Sequence, residues 1–195
     1  PTPQLTVLYD GACPLCRREI GVYRGLQSSA PVCFADVSDA AQALPPRVSA
    51  VAQAVKAAGG MVVGSQFTLW PGPDGEPLIS PHLKALRPFL RRGDFAPGST
   101  GQAHVAEIAP WVDVSVCKVA YSAFFNTQLD WVLKKAGVDT LVVCGIVTNG
   151  GVASTVRDAH VRDYHVIVLS DGCAAFSEAA HQAALADMAS VGDVM

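Results

Sequence analysis

A repeated alternation of apolar runs and helical stretches constrains this chain more than any other feature. VSVCK (114–118), DTLVVCGI (139–146) and HVIVLSD (165–171) are continuous apolar runs, and DVM (193–195) opens another. Between them lie TQLDWVLKKAG (127–137), GVASTVRDAHVRD (151–163) and SEAAHQAALADMASV (177–191), each with helical patterning. Ser177 stands where the last of these helices needs a cap. Continuous apolar strands are those covered on both faces, and a helix between two strands is the usual parallel crossover. The N-terminal half repeats the theme. LTVLY (5–9), PVCFADV (31–37) and MVVGSQFTLW (61–70) read as strands. CPLCRREIGVYRGL (13–26) has helical spacing, and RVSAVAQAVKAAGG (47–60) is an Ala-rich helix closed by glycine. Residues 78–110 contain four prolines and read as a long loop with short helices. The fold class expected is α/β, a mainly parallel sheet with helices on both faces, in one domain spanning 1–195.

Composition narrows the function classes. Half of the 195 residues are hydrophobic and 16% are charged, which suits a sizeable core. A formal charge of −3 gives no reason to expect nucleic acid or an anionic membrane surface as partner. No apolar run reaches the roughly 18 residues a membrane helix needs. PTPQLTVLYDG shows no secretory pattern, so the expected setting is the cytoplasm, with reduced thiols. Of six cysteines, only Cys13 and Cys16 have a motif spacing; the others sit in apolar runs and are expected to be buried free thiols.

In a parallel sheet, ligands bind beyond the carboxyl ends of the strands. Lys118, Thr148, Gly151 and Asp171 all fall at such ends. GIVTNGGVAST (145–155) reads as a strand, a Gly-rich turn and a helix start. Backbone N–H groups near Val147 and Gly151 would converge there on an oxyanion or carboxylate, aided by the helix dipole. Taken alone, the same residues also fit a plain turn. Lys118 is either a surface lysine at a strand end or a partly buried cation serving an anion. Two acids, Asp10 and Asp36, end early strands. Trp111, Tyr121, Phe124 and Phe125 fit either a pocket wall or the core.

The segment from Lys118 to Ser177, KVAYSAFFNTQLDWVLKKAGVDTLVVCGIVTNGGVASTVRDAHVRDYHVIVLSDGCAAFS, resembles the isochorismatase-like hydrolases, and the likeness covers about 46–195. The resemblance implies a parallel α/β fold and a small-molecule substrate. Most such proteins hydrolyse amides with an Asp–Lys–Cys triad. The lysine matches Lys118, and the cysteine position matches Gly151. The bond Ile146–Val147 matches a cis peptide that helps form an oxyanion hole. Vinyl-ether hydrolases of the family also carry glycine at this place, and resemble YSAFF (121–125) and SEAAHQAAL (177–185). In them an aspartate protonates the vinyl ether and the lysine holds the substrate. They tend to have an aromatic residue where this chain has Val147. Nicotinamidase-type members hold a metal after the second strand. Here that stretch, SQFTLWPGPDGE, has no histidine, and the five histidines show no ligand spacing, so no metal and no other cofactor is expected.

VLYDGACPLCRREI resembles instead the DCC thiol-disulfide oxidoreductase-like proteins, through about residue 45. Residues 1–45 are thus an atypical N-terminal βαβ segment. Cys13-x-x-Cys16 opening a helix is sound redox geometry, and equally a pair of structural cysteines. Three functions follow. The first is a hydrolase of a small anionic substrate without a covalent cysteine. The second is an oxidoreductase acting through Cys13 and Cys16. The third is an inactive family member that binds a ligand. We expect a homo-oligomer. For the acid we favour Asp36 over Asp10, because a short strand–helix crossover places its strand centrally.

Overall fold

The structure is a computed structural model, which describes residues 5–9, 32–36 and 38–195, with side chains from 44 onward. In chain order the elements are β1 (Leu5–Tyr9), β2 (Val32–Asp36), α1 (Ser38–Ala57), β3 (Val63–Phe67), α2 (Pro81–Leu86) and β4 (Val114–Lys118). Then follow α3 (Leu129–Lys135), β5 (Thr140–Ile146), α4 (Ala153–His160), β6 (His165–Ala174), α5 (Glu178–Met188) and β7 (Asp193–Val194). The expected helix over 13–26 lies outside the described residues. α1 begins well before residue 47 and runs through Pro45 and Pro46. Neither proline can donate to the ladder, so they interrupt its hydrogen bonding without ending it.

Every strand pair is parallel. β1 pairs with β2, β3 with β4, and β6 lies between β5 and β7. The fold class read from the apolar runs is therefore the observed one. Among the described residues the strands form three separate ladders, and none joins β4 to β5. One apolar cluster nevertheless spans both groups. Val116 of β4 packs with Val156 of α4, Val166 and Val168 of β6, and Met188 of α5, all at most 1% exposed. Leu129 and Leu133 of α3 and Leu185 of α5 close it. Phe124 belongs to this core, its ring 5.8 Å from that of Tyr164 and under the Arg162 guanidinium. A second, smaller cluster of Leu69, Phe89 and Leu90 anchors the loop between β3 and β4.

The strands are covered less completely than their continuous apolar runs suggest. In β4, Val116 is buried while its neighbours Ser115 and Cys117 are exposed. In β5, Val142 and Ile146 are exposed. Cys117 is thus not the buried thiol expected, because successive strand residues face opposite ways and only one face here meets the core. Cys173 follows the expectation, and Cys144 is partly buried. Burial pushes both thiols up, Cys173 to about 12. Among the described residues no helix is long and apolar enough to cross a membrane.

The core assignment is checked by denaturation. Met188→Ala is expected to lose about 2–5 kcal/mol in urea titrations, as deletions of well-packed side chains do. Trp131→Ala, on a side chain 64% exposed, is expected to stay within about 0.5 kcal/mol. Equal losses from the two would contradict the placement of α5 against the sheet.

Candidate active site

Lys118 is the last residue of β4 and pairs in register with Phe67 at the end of β3. Beyond it the chain turns so that the Lys118 Nζ donates to the Tyr121 carbonyl at 2.9 Å. Lys118 is half-buried, and desolvation lowers its pKa. An ammonium has three donors, and one of them is used here. Among the described side chains no carboxylate lies within ion-pair distance of it. The described surroundings thus leave a partly desolvated cation with donors to spare.

The second half of the site follows β5. The β5–β6 register holds from Thr140↔His165 to Val143↔Val168, then shifts, resuming at Gly145↔Cys173. Gly145 takes φ +130, a conformation that a side chain would oppose. The next peptide bond, Ile146–Val147, is cis. Thr148–Val152 then forms one π-turn that leads into α4. The Val147 carbonyl accepts from the N–H groups of both Gly150 and Val152, at 3.0 and 3.2 Å.

The two halves meet at Gly151. A β-carbon placed there would stand 3.0 Å from Lys118 Nζ, 3.4 Å from the Tyr121 carbonyl oxygen and 3.7 Å from that of Ile146. Position 151 itself, being glycine, places no side chain in this direction. Two hydroxyls brace the turn. Thr155 donates to the Gly151 carbonyl at 2.7 Å and accepts from the Ala123 N–H at 3.0 Å. Thr148, fully buried, shares a hydrogen with His181 Nδ1 on α5 at 2.9 Å. At the rim, exposed Tyr121 accepts from Arg87 Nη2 at 2.9 Å, which brings a second cation to the mouth.

The structure thus brings together Lys118, Ile146, Val147 and Gly151. Asp36 is the last residue of β2, paired with Tyr9; its side chain lies outside the described residues, as do Asp10, Cys13 and Cys16. Of the aromatics, Phe124 is core, Trp111 donates to Ser49 on α1, and Tyr121 and Phe125 are exposed. Asp171 lies within β6, where its carbonyl accepts from Arg47. Among the described residues no three His, Cys, Asp or Glu side chains cluster as metal ligands would. The sequence reading missed Arg87, Thr155 and His181, the partner of Thr148. Thr155 carried a signal, since a Thr four residues after Gly151 can bond back to its carbonyl. Arg87 and His181 reach the site only through loop and helix packing, which no local pattern displays.

Comparison with known proteins gives the family and the extent of the likeness. The family model described as the isochorismatase domain matches residues 30–195, beginning before the expected boundary near 46. The isochorismatase family protein YwoC of Bacillus subtilis is 40% identical over 108 residues, 52% of this chain and 56% of that protein. Ureidoacrylate amidohydrolase RutB of Methylobacterium radiotolerans is 43% identical over 110 residues, 54% of this chain and 43% of the relative. The chain thus spans about half the length of these relatives. Among solved structures, an isochorismatase-like hydrolase from Alkaliphilus metalliredigens superposes with a TM-score of 0.62 at 29% identity, over 79% of this chain and 77% of that one. A pyrazinamidase/nicotinamidase from Streptococcus mutans, 22% identical, shares the fold with a TM-score of 0.68 over 98% of this chain and 99% of its own.

The desolvation of Lys118 gives a signed prediction. Its folded pKa lies below the ordinary lysine range, so between those two values the unfolded chain binds more protons than the folded one. Stability gained from this group therefore rises with pH across that alkaline window. Among the described side chains nothing offsets that cost at neutral pH, so on their account Lys118→Met is expected to melt at the same temperature as the parent or higher. Melting curves at pH 7 and in the alkaline window test this. A variant clearly less stable at pH 7 would mean that a carboxylate outside the described side chains, such as that of Asp36, already neutralises the lysine.

Proposed function

The chain belongs to the isochorismatase family, and from that membership we propose that it hydrolyses a small anionic substrate without a covalent enzyme intermediate. The observation that carries this reading is the approach of Lys118 to Gly151. Among the described residues a half-buried ammonium with donors to spare faces a turn at a helix start, and position 151 carries no side chain. A carboxylated substrate supplies the missing anion, with Arg87 as a second cation at the mouth.

With glycine at position 151, water must attack the substrate itself, and the substrate must be activated by a proton. A vinyl ether answers that requirement. A carboxylic acid protonates the terminal alkene carbon, and the ether oxygen stabilises the resulting cation. Water adds to the cationic carbon and returns a proton. The hemiketal then collapses to a ketone and an alcohol, so one water is consumed and the acid is regenerated. We assign the acid to Asp36. It ends a strand parallel to its neighbour, and the family match that starts at residue 30 takes it in while leaving Asp10 outside. β4 and β5 share no ladder, yet Lys118 and Gly151 meet beyond their ends. A strand seated between them would deliver its terminal acid beside the ammonium. The same match supports a single domain that includes residues 30–45.

Two measurements test the reading. Turnover is followed with a cyclohexadiene carboxylate bearing an enolpyruvyl ether, by release of the keto acid. Asp36→Asn is expected to lower kcat/KM by about 10²–10⁴-fold, the usual contribution of a general acid, and Asp10→Asn to leave it nearly unchanged. The reverse pattern moves the acid to Asp10; absence of turnover in the parent favours an inactive, ligand-binding member. Independently, the thiol introduced by Gly151→Cys is expected to react with iodoacetamide at neutral pH about tenfold faster than exposed Cys117, because a helix start and an ammonium both favour its thiolate. Labelling no faster than at Cys117, read by peptide mass spectrometry, would count against the site.

A further inference from the structure

The hydrogen bond between Thr148 and His181 has no part in the chemistry just described, yet it reaches the centre of the site. Thr148 follows Val147 directly and opens the π-turn that carries Gly151. Its side chain is 0% exposed, and its hydroxyl lies 2.9 Å from His181 Nδ1. Hydroxyls in turns commonly bond to their own nearby backbone. This one bonds instead to a side chain 33 positions away, half-buried in the first turn of α5.

The turn is held unequally on its two sides. Thr155 braces Gly151 and the 119–125 loop together, but it belongs to α4, the helix the turn itself begins. The Val147 carbonyl is satisfied within the turn by Gly150 and Val152. Among the described side-chain bonds of residues 148–152, the Thr148–His181 contact is the one that ties the turn to another helix. α5 in turn is fixed to the core by Leu185 and Met188. A rigid helix thus holds the entrance of the turn through one imidazole.

We propose that His181 is a positioning residue for the active site. Its imidazole fixes Thr148, and through Thr148 it fixes the backbone cradle between Val147 and Gly151 against Lys118. The assignment rests on the site reading above, and the test separates the two. In the Gly151→Cys background, the rate of iodoacetamide labelling at position 151 reports how well the cradle and Lys118 activate a thiolate. His181→Leu is expected to slow that labelling about tenfold or more, since displacements near 1 Å have effects of that order. His181→Asn places an amide where Nδ1 stands and is expected to restore the rate to within about threefold, which mere loss of packing would not allow. Thr148→Val removes only the hydroxyl. It is expected to match His181→Leu, with no further loss in the double variant. It also decides the matter if His181→Leu fails to fold. Labelling that ignores both Thr148→Val and His181→Leu overturns the proposal, as does equal slowing by His181→Leu and His181→Asn. A parent thiol no faster than Cys117 overturns the site reading, and this inference falls with it.

Discussion

The approach of the Lys118 ammonium to the turn at Gly151 is the contact on which the rest of the site depends. Burying a cation is unfavourable unless it is paired, and the described partner is a single carbonyl oxygen, that of Tyr121. Lowering of the lysine's pKa by desolvation expresses the same cost. Such an arrangement persists because the surrounding scaffold fixes it. β4 is locked to β3 by register, and the Lys118 carbonyl is held by the Thr68 N–H at 2.8 Å. The position of the charge is then set by backbone ladders rather than by its own attractions.

The opposite wall is fixed by different means. The β5–β6 ladder breaks its register at Cys144, and Gly145 adopts a backbone conformation closed to other residues. The chain leaves the sheet there and winds into a π-turn before α4 begins. Bulges and π-turns of this kind redirect backbone groups at strand and helix ends. Here the redirected groups face Lys118. Val152 of the turn packs in one cluster with Val156, Val166, Val168 and Met188, these four all at most 1% exposed, so the turn rests on the buried core. Rigid support is what a preorganised anion site requires.

Much of this was legible before the structure was known. The alternation of VSVCK, DTLVVCGI and HVIVLSD with helical stretches gave parallel strands, and strand ends then pointed to Lys118 and Gly151. Ser177 capping was equally visible, and its hydroxyl does accept from the Ala180 N–H. Legibility failed where local pattern does not encode the outcome. The helix read over 47–60 begins instead at Ser38 and passes through Pro45 and Pro46. Cys117 looked buried because its strand is apolar throughout, but the face it occupies is open among the described residues. Arg87 sits in a proline-rich loop with no periodicity, and only tertiary packing brings it to Tyr121. His181 looked like a lone helical histidine, since its partner lies on another element.

Glycine at 151 fixes more than the absence of a nucleophile. A β-carbon there would stand 3.0 Å from Lys118 Nζ, closer than such contacts ordinarily come, so any side chain would push the lysine outward. With glycine, the ammonium can approach the backbone of the turn itself. The donors that the described residues leave on the lysine and the turn's dipole then act on one small volume, which favours an anion there. A cysteine in the same place would itself have supplied the negative charge as a thiolate. Its loss passes that role to the substrate, and on the proposed reading the substrate's carboxylate takes it. On the proposed reading, the reaction at such a site is one whose difficult step is proton delivery rather than acyl transfer. An enol ether meets this condition, because protonation at carbon produces a cation that water captures unaided. On the proposed reading, a hydrogen atom where a thiol could stand thus changes which partner brings the anion, and with it the kind of bond the site can break.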